Sequence, residues 1–137
     1  MKDIANFCTS PYYSDFTTPS YGDIINSFEC ESIFSEILGS YQGDELHFLK
    51  DKDGRYGILV FGYGSCSYCD ALEGCSSVQD VKDLQESLFG SIEWGTKEET
   101  IERINGAEKR NAWTWHETGT KEFYLKILEY LSGVKND

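Results

Sequence analysis

The sequence is poor in proline, positive charge and histidine, and each shortage closes a line of interpretation. Its two prolines, Pro11 and Pro19, both precede residue 20, which leaves no proline-rich linker in the remainder. Lys and Arg number 12 against 24 Asp and Glu, giving a net charge of −12 and a pI near 4.5. A field of that sign repels phosphate backbones, so direct nucleic-acid binding is not expected, and it favours basic protein surfaces. No apolar run approaches the ~20 residues of a membrane-spanning helix, and the start, MKDIANFCTSPYY, lacks the apolar stretch of a signal peptide. The expectation is a cytoplasmic chain without a membrane partner. There is no GK[ST] phosphate loop, no GxGxxG and no paired carboxylate pattern suited to acid–base work, so the chain is expected not to be an enzyme.

What is present is a folding composition. Hydrophobic residues make up 39% and aromatics 15%, with 9 Tyr, 8 Phe and 3 Trp, so rings should supply much of one core. Residues 1–137 are read as a single domain, with an irregular aromatic-rich arm over 1–22 and a globular core over 23–137. From Asp23, taken as an N-cap, Ile24, Phe28, Phe34, Ile37 and Leu38 recur at helical spacing as far as Gly39. A break near Glu29–Ser32 would divide this stretch into two short helices. Leu46 and Phe48 then alternate with Glu45 and His47. Asp53-Gly54 reads as a hairpin turn, and the run Ile58-Leu59-Val60-Phe61 as a central strand covered on both faces.

Downstream, Val78, Val81, Leu84, Leu88 and Phe89 form the stripe of a helix over 77–89. Ile92-Glu93-Trp94 reads as a short strand. Thr96 with Glu99 opens a helix expected to stop at Asn105-Gly106, and Ala112–His116 alternates like a strand. A last helix opens at Thr118 or Thr120. The fold class is therefore α+β: a small antiparallel sheet centred on a hairpin at about 45–62, with three to four packed helices.

Five cysteines are an odd count, and three of them fall within ten residues: Cys66 and Cys69 as a CxxC, then Cys75. This favours thiol or metal chemistry over a disulfide framework. Thiolates three apart at a turn suit tetrahedral zinc, and His116 is the first choice for a fourth ligand, with His47, Cys30, Cys8 and Asp70 left open. A thioredoxin-like centre is disfavoured, because no proline follows the motif and no Trp stands beside it. A Cys–His nucleophile built on Cys66 or Cys69 rests on residue identity alone. The competing plain reading, strongest for Cys8 and Cys30, is a small buried hydrophobe.

The stretch Gly39-Ser40-Tyr41-Gln42-Gly43-Asp44, with Tyr56 through Leu72, resembles a widespread family of small acidic bacterial and phage proteins. They share a GSCSxCDAL core, a helix, an IxW strand (here Ile92-Glu93-Trp94) and a later Trp-His pair (here Trp115-His116), over roughly residues 39–125. As a functional class the chain is also similar to zinc-binding anti-CRISPR proteins. That resemblance implies an acidic, zinc-stabilised inhibitor of a nucleic-acid-processing partner, most concretely a type II CRISPR effector nuclease, acting in the host bacterial cytoplasm. Asp15, Asp23, Glu29, Glu36, Asp80, Asp83 and Glu86 are the acids expected to face its basic surface. The alternatives are a thiol-dependent enzyme or redox protein using the CxxC, and a housekeeping or immunity binding protein.

Overall fold

The computed structural model describes residues 1–9, 16–65, 70–109 and 117–134. Four strands, β1 (Glu31–Gly39), β2 (Gly43–Lys50), β3 (Tyr56–Tyr63) and β4 (Glu93–Gly95), form one antiparallel meander in the order β1-β2-β3-β4. Four helices accompany them: α1 (Tyr21–Ser27), α2 (Val78–Gly90), α3 (Lys97–Lys109) and α4 (Glu117–Ser132), with a 3₁₀ turn at Ile4–Phe7. The α+β class and the hairpin at its centre are as the sequence implies.

β2 and β3 pair along their whole length, from Gly43 opposite Tyr63 to Lys50 opposite Tyr56. Successive side chains point to opposite faces. Leu49 and Leu59 pack with Ile24, Ile25, Phe28, Val81, Leu88 and Ile92 on one face. Leu46, Phe48, Tyr56 and Ile58 pack with Ile104, Phe123, Ile127 and Leu131 on the other. Helices thus cover both faces, which is why β3 is a continuous apolar run and not an alternating one. Gly57 sits where β3 meets β4, and a Cβ there would lie 2.7 Å from Ile92 Cγ2 and from Trp94 Cζ3. Gly57→Ala is expected to cost about 1–3 kcal/mol through overpacking, read from a urea melt.

The β2–β3 turn is held by Asp51, whose carboxylate accepts from the Asp53 N–H at 3.0 Å, the Arg55 N–H at 2.8 Å and Arg55 Nε at 2.8 Å. Burial alone would raise this carboxyl, but the Arg55 and Asp53 donors hold it below its ordinary 3.8. A depressed folded value means that this contribution is complete above pH 3.8 and fades as pH falls through the lower folded pKa. Asp51→Asn should therefore flatten the acid limb of a stability-versus-pH profile.

Five expectations are corrected. The helical stretch over 23–39 is α1 followed by strand β1. A register shift between Ser32 and Phe34 lets both Ile33 and Phe34 pack toward α4, and this breaks the period-two signal that would have marked a strand. The N-cap of α1 is Ser20; Asp23 is its capping-box partner, accepting from the Ser20 N–H at 3.0 Å. Gly39 ends β1 and not a helix: at φ +97 it enters the β1–β2 turn, where a Cβ would meet the Gln42 carbonyl. At the other end of the chain, α3 runs through Asn105-Gly106 to Lys109, because a glycine weakens a helix interior by only ~1 kcal/mol. α4 begins at Glu117, so Thr118 and Thr120 lie inside it. The expected strand over 112–116 lies outside the described residues.

The start of the chain belongs to the core. Ile4 and Cys8 are fully buried, and Gln85 of α2 donates to the Lys2 carbonyl at 3.0 Å and to Ser27 Oγ at 2.8 Å. Phe16 and Tyr21 pack against the same cluster. Tyr12 and Tyr13 lie outside the described residues.

Candidate functional site

Beyond β3 the chain turns back on itself around one buried carboxylate. Asp70 Oδ2 accepts from the Gly64 N–H at 2.9 Å. Its Oδ1 accepts from the Tyr21 hydroxyl at 2.7 Å, the Leu72 N–H at 2.9 Å and the Glu73 N–H at 3.1 Å. Gly64 and Asp70 are therefore joined backbone to side chain, and α1 is tied to them through Tyr21. Burial pushes the Asp70 carboxyl up, but the Gly64, Tyr21, Glu73 and Leu72 donors together hold it below the usual range. Tyr21 moves the other way, far above its ordinary value, through burial and the Asp70 carboxylate it donates to.

This latch forms one wall of a cavity of about 320 Å³ lined by Ser20, Tyr21, Ile37, Glu45, Tyr63, Asp70 and Glu73. Its lining includes three acids, two tyrosines and one aliphatic residue and, among the described residues, no base. Tyr63 also donates to the Leu38 carbonyl at 3.0 Å, fixing the strand ends that frame the opening. Glu45 and His47 lie two apart on β2 and therefore share a face. His47 Nε2 and Glu45 Oε1 are 2.8 Å apart, and both side chains are buried. The imidazole stacks on Phe61 at 5.9 Å, and Phe61 meets Tyr21 at 4.8 Å, which links the pair to the Asp70 latch. His47 Nδ1 is buried without a hydrogen-bond partner among the described residues. A carboxylate at Nε2 suits the neutral tautomer with its proton there, in which Nδ1 would be an acceptor, the arrangement found in metal-ligating histidines.

No family model, curated protein or solved structure matches this chain.

Of the residues expected to hold zinc, Cys66, Cys69 and His116 lie outside the described residues. Cys75 is half-buried, and its thiol donates to the Ala71 carbonyl at 3.3 Å. Burial, with the charges of Asp80, Cys8, Asp70 and Asp83, pushes that thiol up, so it is neutral and unactivated as a nucleophile at neutral pH. Cys8 and Cys30 are likewise raised, first by burial. Among the described residues no group of three or more His, Cys, Asp and Glu is placed to hold a metal ion. Of the alternatives left open from sequence, His47 has Nδ1 unpartnered among the described residues, whereas Asp70 has both oxygens engaged.

The acids expected to face a partner fall in different places. Asp15 is outside the described residues. Asp23 caps α1, and Glu29, at φ +58, pairs with the N-terminal ammonium at 2.9 Å. Glu36 pairs with Lys126 of α4 at 2.6 Å. On α2, Asp80 binds the Ser76 N–H at 2.9 Å and Asp83 accepts from Gln79 at 2.9 Å, while Glu86 is exposed. The cavity acids Glu45 and Glu73 are not among the acids expected from sequence to face a partner, and Asp70 enters there only as an open choice for a metal ligand. A signal existed for two of them: Glu45 stands two before a histidine on a strand, and Asp70 directly follows the CxxC.

Proposed function

We propose that this chain is a non-catalytic, acidic binding protein that takes a basic protein surface into the cavity between Tyr21, Glu45, Tyr63, Asp70 and Glu73. The observation that supports this reading is that cavity: Glu45, Asp70 and Glu73 line one opening with no basic residue in its lining among the described residues, Glu73 being exposed, in a chain of net charge −12. Nucleic-acid-processing enzymes present such basic surfaces in their channels, and a type II CRISPR effector nuclease is the concrete partner to try first. The mode is occupation of the channel in place of nucleic acid, with zinc, where bound, holding the cysteine loop.

The direct test is fluorescence anisotropy with labelled octalysine, followed by a cleavage assay with a guide-loaded effector nuclease. Octalysine should bind at about 50 mM salt and weaken at least about tenfold by about 300 mM. Salt-insensitive binding, or none, contradicts this mode.

The metal reading is favoured by the unpartnered Nδ1 of His47. Elemental analysis of wild type, Cys66→Ser, His47→Gln and His116→Ala decides it. About one zinc per chain, lost in Cys66→Ser and His47→Gln but kept in His116→Ala, makes His47 the imidazole ligand. Loss in His116→Ala with retention in His47→Gln returns that role to His116.

A further inference from the structure

β1 is nine residues long and stands at the edge of the sheet, with β2 on one side and, among the described residues, no strand on the other. An open edge offers a row of unpaired N–H and C=O groups that a further extended chain can satisfy. Proteins usually blunt such edges, and β1 has a bulge between Ser32 and Phe34. Its two charged residues are both acids, Glu36 paired with Lys126 and Glu31 exposed. The edge's unpaired charge is therefore negative, which repels a second acidic copy and admits a basic strand. Ile37, 63% exposed, lines the acidic cavity from this edge strand, and Tyr41 in the adjoining turn is 80% exposed. Ile37 stands opposite Glu45 of β2. A strand added outside β1 would lie about 4.8 Å from it, so a long side chain on the cavity face would pass over Ile37 toward the Glu45 carboxylate.

We propose that the open edge of β1 accepts an extended basic segment of the partner as a fifth strand, seating one lysine or arginine side chain in the cavity beside Glu45 and Glu73. The main chain supplies affinity along the edge. The aliphatic part of the basic side chain lies on Ile37, and its head meets the carboxylates. This inference rests on the acidic-binding reading above and specifies its geometry.

The probe is a peptide of about eight residues alternating lysine and valine, compared with one of the same composition whose lysines are clustered. Amide hydrogen exchange across Glu31–Gly39 is followed with and without peptide. The alternating peptide should slow exchange in β1 at least about tenfold and bind at least about fivefold more tightly than the clustered one. Ile37→Lys, at an exposed position, should weaken the alternating peptide by a similar factor while leaving the circular dichroism melt unchanged.

Equal binding of both peptides without β1 protection overturns strand addition. If octalysine still binds under those conditions, the acidic-binding reading survives that failure; if no basic peptide binds, both fall. Concentration-dependent protection of β1 without peptide, with a dimer in sedimentation, gives the edge to a second copy and also overturns the proposal.

Discussion

Asp70→Ala is expected to destabilise the protein by about 3 kcal/mol, because it strands a set of donors that the fold has gathered around one carboxylate. The Tyr21 hydroxyl and the Leu72 N–H have their bonds to Asp70 in a partly or wholly buried setting, and losing an acceptor there costs more than losing one at the surface. Gly64 and Glu73 are closer to water and should recover part of their loss. Against a total stability of about 5–15 kcal/mol the effect is large. It should also be local in its consequences: amide exchange should accelerate first at Gly64 and over 71–75, while β2 and β3 keep their protection. Asp70→Asn keeps the volume but replaces one accepting oxygen with an NH₂ group facing N–H donors, so it should recover less than half of the loss. A full recovery in Asp70→Asn would show that shape, and not the carboxylate, holds the loop.

Phe48→Ala should cost about 3–5 kcal/mol, the range for removing a buried ring. Phe48 is fully buried at the centre of β2 and meets Phe34 at 5.3 Å, Tyr56 at 5.4 Å and Tyr130 at 5.7 Å. Those partners come from β1, β3 and α4, so the cavity left behind has no single side chain free to collapse into it. Phe34→Ala, at a half-buried edge position, should cost less. A urea titration checks both, with an unchanged m-value expected if the native state keeps its extent. A loss below about 1 kcal/mol at Phe48 would mean that α4 does not pack on the sheet as described.

The hairpin, α2 and β4 could be read from sequence because their local signals agree with their surroundings: a turn glycine at 54 with φ +81, a helical stripe on α2, and an apolar run buried on both faces of β3. β1 could not. Its bulge places Ile33 and Phe34 on the same side, and with Ile37 and Leu38 the apolar spacing imitates a helix. The cavity was equally hidden, since Tyr21, Glu45, Asp70 and Glu73 come from α1, β2 and the segment after β3, and tertiary contacts join them: the Asp70 hydrogen bonds and the His47–Phe61–Tyr21 ring contacts. The acids chosen from sequence by their exposure are mostly spent on caps and ion pairs, whereas those facing the cavity lie on strands and turns that look structural.

The most direct test of the account is the affinity of Glu45→Gln/Glu73→Gln for octalysine at about 50 mM salt, beside a control, Glu98→Gln/Glu102→Gln, that removes the same charge from exposed positions on α3. The account predicts at least about tenfold weaker binding for the cavity variant, about 1.4 kcal/mol, and less than about a twofold change for the control. Equal losses in the two would mean that net charge alone attracts the probe, and would contradict a binding site at the cavity.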